Sequence, residues 1–269
     1  EILAYYNDEM LESALKWKKC VDEFDEALKS GEFQMYLQPQ ISAETGRLQG
    51  AEALVRRIKA DGTVIPPIEF VPVYEKSGLI CQMDRDIWEQ AAKKLGEWKI
   101  DGKNMKISVN ISPKDFYYID VYSTLKNLVE KYNIEPQNLN LEITETAIMS
   151  DIPNLRKDLE KLQKLGFTVE IDDFGSGYSS LNALKDIDVD VLKIDMGFLR
   201  ETENKTKSKI ILNSVVQMAK EMGMPVITEG VETIEQVNML AKMGCDTFQG
   251  YYFSKPISVV EFEKMYMDK

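Results

Sequence analysis

The chain has 269 residues, of which 44% are hydrophobic and 29% are charged, and its formal net charge is −12. This length suits one α/β barrel, the composition is that of a soluble globular protein, and the acidic balance argues against a broad basic face for duplex DNA or RNA. The absence of histidine excludes Ser-His-Asp triads, Cys-His pairs and histidine-ligated zinc, so catalysis here must rest on carboxylates, lysine and metal ions.

Residues 1–31 predict a lead-in helix. Asp8 is a suitable N-cap, apolar residues recur at an approximate helical spacing, and Gly31 follows the predicted end at Lys29. Such a helix either packs on its own domain or links it to an upstream domain, and the pattern does not separate the two. We therefore divide the chain into a lead-in, residues 1–31, and one domain, residues 32–269.

Beyond the lead-in, short apolar runs that mostly end in a polar residue alternate with segments of helical periodicity. The eight runs are 34–38, 50–56, 106–110, 138–144, 168–172, 191–195, 225–229 and 247–253. Helices are predicted at 83–98, 154–165, 207–222 and 234–243. Eight strands with intervening helices predict a (β/α)8 barrel rather than an open doubly wound sheet.

Polar side chains recur at or near the predicted carboxyl ends of the strands, where such barrels collect their functional groups. The set is Glu52, Asn110, Glu142, Asp172, Asp173, Lys193, Glu229 and Gln249. Together these carboxylates would repel one another unless cations or protons intervened, and oxygen ligands suit Mg²⁺ or Mn²⁺. Two metals bridged by Asp172 would indicate phosphoryl chemistry, with Lys193 orienting the attacking water.

The same residue types also fit two other chemistries. Carboxylates with a lysine occur in carbanion chemistry of the enolase type, and a lysine alone can form the Schiff base of an aldolase. Spacing does not separate these three possibilities.

An ordered series of motifs resembles the EAL domain family over about residues 31–255. The segment Gly50-Ala-Glu-Ala-Leu-Val-Arg56 carries the Glu-Ala-Leu signature and an arginine four residues after the glutamate. Further matches are Gln38-Pro39, the segment from Ile65-Pro66-Pro67 to Phe70, and residues 109–112, 141–145, 172–181, 192–195, 229–232 and 249–253. One three-letter match would be uninformative, whereas the ordered series is highly specific.

The resemblance implies a barrel whose first strand runs antiparallel to the others. It also implies hydrolysis of one phosphodiester bond of cyclic di-GMP to linear pGpG, with two Mg²⁺ or Mn²⁺ ions. By position in the motifs, one metal would be held by Glu52, Asn110, Glu142 and Asp172, and the second by Asp172 and Asp173. Lys193 would contact the attacking water, and Glu229 would act as general base or ligate through water. Substrate contacts are implied for Gln38, Leu54, Arg56, Asp195 and Gln249.

The family also suggests how the chain assembles. Glu145 corresponds to a glutamate that steadies the loop at residues 174–180, and this loop with its following helix implies a homodimer interface. The interface candidates are Leu181, Leu184, Ile210, Ile211, Val215 and Met218. Residues 5–10 resemble the tail of a GGDEF diguanylate cyclase domain, so we expect an upstream GGDEF domain in a longer protein.

We expect this domain to be cytoplasmic. No apolar run approaches the roughly 20 residues that cross a bilayer, and three cysteines outside any CxxC spacing favour a reducing compartment. Upstream segments could still anchor the full-length protein to a membrane.

Four positions depart from the usual family pattern: Leu37, Arg57, Glu170 and Thr228. None of them replaces a presumed ligand. Glu170 should face the same side as Asp172, and an inward carboxylate there must be protonated, paired or solvated. The complete ligand set favours an enzyme, and the alternative is an EAL domain that serves as a cyclic di-GMP receptor with little catalysis.

Overall fold

A closed barrel of eight strands forms the centre of the computed structural model, which describes residues 8–149, 152, 155–175, 188–195, 197 and 205–268. The strands of the sheet are β1 Phe33–Ser42, β2 Leu48–Ile58, β3 Val64–Ile65, β4 Ile107–Asn110, β5 Leu139–Thr144, β6 Val169–Asp172, β7 Val191–Asp195, β8 Val226–Glu229, β9 Thr247–Phe248 and β10 Ile257–Ser258. Strand β1 pairs with both β2 and β9, which closes the barrel, while β3 and β10 extend the sheet outside the ring.

The first strand is antiparallel to both of its barrel neighbours, and the other barrel neighbours pair in parallel. The register of β1 and β2 places Gln38 opposite Glu52. Only residues 43–47 connect these two strands, and so short a connection permits only an antiparallel pair, because a parallel pair needs a long crossover. The predicted TIM-like barrel with one reversed strand is confirmed.

Helices cover the outside of the barrel. Those of the described residues are α1 Asp8–Asp22, α2 Phe24–Lys29, α3 Pro67–Ser77, α4 Ile80–Ile100, α5 Asp115–Tyr118, α6 Val121–Lys131, α7 Glu145–Met149, α8 Leu155–Leu165, α9 Lys205–Glu221, α10 Ile234–Met243 and α11 Val259–Phe262. The bounds of α10 agree with the prediction because both ends carry strong signals: a capping box of Thr233 with Gln236, and Gly244 in the left-handed conformation. None of the helices in this part of the chain is both long and apolar enough to cross a membrane.

Two predicted elements differ from the structure. The last barrel strand was predicted over 247–253 but ends at Phe248, because the chain turns where the Phe253 N–H donates to the carbonyl of Gly250 at 3.0 Å. The continuous lead-in helix predicted to Lys29 is divided at Glu23 into α1 and α2.

The lead-in is exposed at one end and packed at the other. Leu11 and Leu15 of α1 are 46% and 58% exposed, whereas Phe24 of α2 is buried with Phe33 and Tyr74. The second half of the lead-in therefore packs on the barrel, as one of the two alternatives predicted. The division of the chain at residue 31 stays a prediction.

Buried ion pairs hold this lead-in against β2. The Arg57 side chain is 5% exposed, and its Nε and Nη2 lie 2.8 Å from Glu32 Oε2 and 2.9 Å from Glu23 Oε2. Lys59 Nζ lies 3.8 Å from the same Glu23 oxygen. Arginine suits this place because its planar guanidinium can bond two carboxylates at once. The departure from the family pattern at residue 57 thus has a local structural reason.

We predict that Arg57→Met lowers the free energy of unfolding by about 2–3 kcal/mol, because it removes the close partner of two partly buried carboxylates and leaves Glu23 only its longer pairs with Lys19 and Lys59. Lys59→Met, which removes a longer and more exposed pair, should cost about 0.5 kcal/mol or less. Urea denaturation of both variants measures the difference, and equal losses would contradict this account of Arg57.

Candidate active site

A lysine inside the mouth of the barrel contacts carboxylates from four other strands. Lys193 of β7 is fully buried, and its Nζ lies 2.5 Å from Glu229 Oε1 on β8 and 2.7 Å from Glu142 Oε1 on β5. The same atom lies 3.5 Å from both Glu52 Oε2 on β2 and Asp172 Oδ1 on β6. We call Lys193 and these four acids the carboxylate ring. The five residues, far apart in sequence, thus form one cluster.

Strand register places polar residues of neighbouring strands beside one another. Parallel pairing places Asn110 beside Glu142, Thr144 beside Asp172, and Asp195 beside Glu229. Because parallel barrel strands end at the same face, polar residues at their carboxyl ends meet there. The predicted convergence of these strand ends is therefore what the structure shows.

The charges in the ring shift one another's protonation. Burial raises the pKa of Glu142 well above its usual range, and the charge of Glu52 adds to the effect. Burial likewise raises the pKa of Glu229 well above its usual range, against the attraction of Lys193. Burial alone would lower the pKa of Lys193, but Asp172 and the other carboxylates raise it well above its usual value. Lys193 is therefore an ammonium group, and it offsets only part of the negative charge around it.

The oxygen ligands of the carboxylate ring are of the type that hard cations prefer, although the side chains are not arranged around a common metal position. Among the described residues, no three His, Cys, Asp or Glu side chains are arranged to hold a metal ion. The buried Glu142 Oε2 receives neither a hydrogen bond nor an ion pair from the described residues. Asn110 Nδ2 lies 3.4 Å from Glu52 Oε1. Oxygen donors from carboxylates and an amide, one of them without a donor, fit Mg²⁺ or Mn²⁺.

Two further aspartates lie at the exposed edge of the ring. Asp173 follows β6 with a left-handed φ of 55°, and its N–H donates to Asp172 Oδ1 at 2.9 Å. Burial raises the pKa of Asp173 to about 6, and the charges of Asp172 and Asp195 contribute. Asp195 is exposed at the end of β7 and accepts a hydrogen bond from the Gly197 N–H at 2.7 Å.

Glu170 is buried beneath the ring and is paired with a residue that the sequence analysis did not single out. It is 1% exposed and lies beside Glu142 in the register of β5 and β6. Asn140 Nδ2 donates to its Oε1 at 2.7 Å. Burial raises the pKa of Glu170, which favours the uncharged form. The inward carboxyl is thus accommodated by an amide donor and by its raised pKa.

Three glutamines form a hydrogen-bonded chain that ends on Glu52. Gln249 Nε2 donates to Glu52 Oε2 and, at 3.2 Å, to Gln38 Oε1. Gln40 Nε2 donates to Gln249 Oε1 at 3.2 Å, and Gln38 Nε2 donates to the carbonyl of Ser254 at 3.1 Å. We call these residues the glutamine chain. Sequence reasoning identified Gln38 and Gln249 but missed Gln40, although it lies two residues after Gln38 and so on the same face of β1.

Leu54 and Arg56 lie farther along β2. Both are half-buried, and Leu54 lines a cavity beside the ring. Arg56 Nη1 donates to the carbonyl of Val55 at 2.8 Å, and its guanidinium lies 5.9 Å from the ring centre of Tyr36. Burial lowers the pKa of Arg56, but its group stays charged because an arginine is protonated throughout the physiological range.

The loop after β6 is described only at its start. Glu145 is 2% exposed, and its Oε2 accepts a hydrogen bond from the Gly175 N–H at 3.1 Å. Residues 176–180, and the interface candidates Leu181 and Leu184, lie outside the described residues.

The remaining interface candidates on α9 differ in how exposed they are. Ile210 and Ile211 are 61% and 49% exposed, whereas Val215 and Met218 pack partly against the core. The homodimer interface through α9 therefore stays a prediction, and Ile210 and Ile211 are the most exposed of these four candidates.

Two cavities flank the carboxylate ring. The larger, of about 520 Å³, is lined by Leu54, Asn110, Glu75 and Asp84, with Trp88 also in its wall. The smaller, of about 280 Å³, is lined by polar residues that include Gln38, Asp195, Glu229 and Gln249. Asn110, which donates to Glu52 of the ring, lines the larger cavity, and Glu229 of the ring lines the smaller one.

A pair of buried acids lies at the larger cavity. Asp84 is 8% exposed and Asp115 is fully buried, and the Ser112 N–H donates to Asp115 Oδ2 at 2.8 Å. Burial raises the pKa of Asp84 well above its usual range, and Asp115 adds to the effect. Burial raises the pKa of Asp115 to about 6. Neither residue was predicted from the sequence, since each lies within or next to a helix rather than at a strand end.

Comparison with known proteins identifies relatives of this chain. The EAL domain family profile matches residues 21–256. The signaling protein YkoW of Bacillus subtilis is 36% identical over 244 residues, which are 91% of this chain and 30% of YkoW. The bifunctional diguanylate cyclase/cyclic di-GMP phosphodiesterase MucR of Pseudomonas aeruginosa is 31% identical over 255 residues, 94% of this chain and 37% of MucR. The chain thus spans about a third of the length of these curated relatives.

A solved structure agrees with the fold in detail. The PaMucR phosphodiesterase in its c-di-GMP complex has a TM-score of 0.84 and 31% identity, and the match covers 91% of this chain and 99% of that one. The predicted family and barrel are both supported by this match.

The acid pair predicts a pH dependence of stability. The pKa of Asp115 is about 6 in the folded state and about 3.9 when unfolded, so the folded state holds more protons between these values. Stability from this group is therefore highest below pH 4 and is lost as pH rises to about 6. Relative to wild type, Asp115→Asn should gain about 2 kcal/mol in free energy of unfolding between pH 4 and pH 7. Denaturant titrations at several pH values test this, and parallel curves would contradict it.

Proposed function

The chain belongs to the EAL domain family, and on that premise we propose that it hydrolyses one phosphodiester bond of cyclic di-GMP, giving linear pGpG. The observation that carries the proposal is the carboxylate ring, in which the Lys193 ammonium contacts acids from four strands. The PaMucR phosphodiesterase, whose structure contains c-di-GMP, shares this fold.

We assign the metal ligands from the oxygen donors of the ring. Glu52, Asn110, Glu142 and Asp172 would hold one Mg²⁺ or Mn²⁺, and Asp172 with Asp173 would hold a second. Bound there, the two ions would lower the pKa of a water and offset the charge that builds on the phosphate. The buried Glu142 oxygen without a donor and the all-oxygen set support this assignment.

The remaining residues of the ring act on the water and on the phosphate. The water oxygen would form a bond to phosphorus while the bond from phosphorus to the ribose 3′ oxygen breaks, and that oxygen would take up a proton to become the 3′ hydroxyl of pGpG. Lys193 would orient that water, and Glu229, which contacts Lys193, would accept its proton or ligate through water. Arg56 would hold a phosphate by its guanidinium. Asp195, Gln38 and Gln249 line the smaller cavity, where they would contact the substrate.

The two cavities fit a ligand that has two nucleotides. One cavity meets the ring region at Asn110 and the other at Glu229, which would place one phosphodiester at the ring and one base in each cavity. A guanine presents neighbouring N–H donors on its Watson–Crick edge, and carboxylates accept such donors. Glu75 in the larger cavity is therefore the group that we propose for base recognition, with Leu54 against the face of the purine.

We propose three further properties of the longer protein. A diguanylate cyclase activity is named for the relative MucR, and an upstream GGDEF domain would supply it here. The exposed Ile210 and Ile211 support a homodimer through the helices after the fifth and sixth strands of the barrel. A cytoplasmic position of this domain fits a substrate made of nucleotides.

We predict that the purified chain with Mg²⁺ or Mn²⁺ converts cyclic di-GMP to pGpG, and that Glu52→Gln lowers turnover by about 100-fold or more. The replacement keeps the size of the side chain but removes its charge. Glu44→Gln, an exposed change in the hairpin between β1 and β2, is the matched control and should keep wild-type turnover. Product is measured by chromatography.

Two results would redirect the proposal. Tight binding of cyclic di-GMP without product, at high protein concentration and with both metals, would indicate a receptor. No binding and no product would reject cyclic di-GMP as the ligand.

We also predict that Lys193→Met lowers turnover by at least about 100-fold and makes the metal-free protein less stable, because the carboxylates lose their cation. Mn²⁺ should then raise the midpoint of thermal unfolding more for the variant than for wild type. Lys242→Met, at an exposed site on α10, serves as the control. An equal shift by Mn²⁺ in all three proteins would contradict a metal site beside Lys193.

A further inference from the structure

The glutamine chain has one hydrogen-bond direction, and Glu52 determines it. A charged carboxylate accepts hydrogen bonds and cannot donate them. Gln249 must therefore present its NH2 group to Glu52 Oε2. The same NH2 group also faces Gln38 Oε1 at 3.2 Å, so both N–H bonds of Gln249 are used.

The orientation of one amide then fixes the next. With its NH2 group on Glu52 and Gln38, Gln249 turns its oxygen towards Gln40, which must present its own NH2 group at 3.2 Å. Gln38 accepts from Gln249, so its NH2 group points away and donates to the Ser254 carbonyl. Gln249 and Gln38 each have a donor and an acceptor in place, and Gln40 donates to Gln249, so a flip at any one of the three amides would break at least one hydrogen bond.

Because these side chains are buried, the order of donors and acceptors in the glutamine chain is specific. Gln40, Gln249 and Gln38 are 4%, 2% and 7% exposed, and Glu52 is 5% exposed. Water has little access to replace a lost partner, so an unsatisfied amide here is costly. Gln40 is the member that contacts neither Glu52 nor the smaller cavity. Its described contact to the site is through Gln249.

We propose that Gln40 is a positioning residue: it holds the Gln249 amide in the one orientation that donates to Glu52, and so fixes the Glu52 carboxylate. This inference rests on the proposed function in so far as Glu52 is taken as a metal ligand. The chain also joins Glu52 to Gln38 and to the segment around Ser254. A contact made in the smaller cavity therefore acts on the placement of the Glu52 carboxylate.

Two substitutions at residue 40 distinguish its effect on the orientation of the Gln249 amide from its effect on packing. Gln40→Met keeps the length of the side chain in a buried place but removes the donor. Gln40→Glu keeps the shape and replaces the donor with a carboxylate, which forces the Gln249 amide to turn its oxygen towards Glu52. We expect Gln40→Met to weaken Mn²⁺ binding by about 10-fold and to lower kcat by about 10-fold, with KM changed less than kcat. Gln40→Glu should lose more on both measures.

The control is a second glutamine that stabilises β1 and whose described hydrogen bonds do not involve the glutamine chain. Gln90 accepts from the Met35 N–H and donates to the Phe33 carbonyl, so it holds the start of β1 against α4. Gln90→Met should lower stability while Mn²⁺ affinity and kcat stay within about twofold of wild type, because it leaves the Glu52 contacts in place. If Gln90→Met reproduces the losses of Gln40→Met at equal loss of stability, the effect is structural and the proposal is overturned.

A third measurement does not depend on activity or on metal. In protein labelled with ¹⁵N-glutamine, the side-chain NH2 signals of Gln249 can be assigned by their loss in Gln249→Met. These signals should shift in Gln40→Met and stay unchanged in Gln90→Met. If wild type neither binds Mn²⁺ nor cleaves cyclic di-GMP, the proposed function fails, and these signals still decide the role of Gln40. Unchanged Gln249 signals in Gln40→Met overturn the inference in either case.

Discussion

The attraction between the Lys193 ammonium and four carboxylates is the interaction on which the mouth of the barrel depends. Placed together at low dielectric, those acids repel one another, and one buried cation offsets only part of their charge. Amide donors supply the rest of the local support: Asn110 and Gln249 at Glu52, and Asn140 at Glu170 below. Lys193 and these amides thus hold the carboxyl oxygens of several strands close together at one face of the barrel.

The barrel gives this arrangement its geometry. Parallel strands deliver β5 to β8 to one face, while β1 enters from the opposite direction. The reversed strand matters for the site because it places Gln38 directly opposite Glu52. Trp88 contributes from the outside, since its Nε1 donates to the Asn110 carbonyl at 2.9 Å and anchors the end of β4.

Glu142 and Lys193 could be predicted because polar residues near the carboxyl end of an apolar strand are a local signal in the sequence. The family motifs added the reversed β1. Asp84 and Asp115 could not be predicted in this way, because their contact depends on how α4 and α5 pack. The end of β9 was also missed, since residues 249–253 look like a strand but turn where Gly250 meets the Val231 backbone.

The direction of the glutamine chain has an evolutionary consequence. Residues 40 and 52 do not touch through their described side-chain hydrogen bonds, yet the acceptor at 52 dictates that 40 must be a donor. In a lineage that lost the acid at position 52, position 40 would no longer need a hydrogen-bond donor. Substitutions at these two positions should therefore occur together. Related proteins that still bind the nucleotide but no longer hydrolyse it would then carry substitutions at both positions. The change at position 40 would lie away from the reacting atoms.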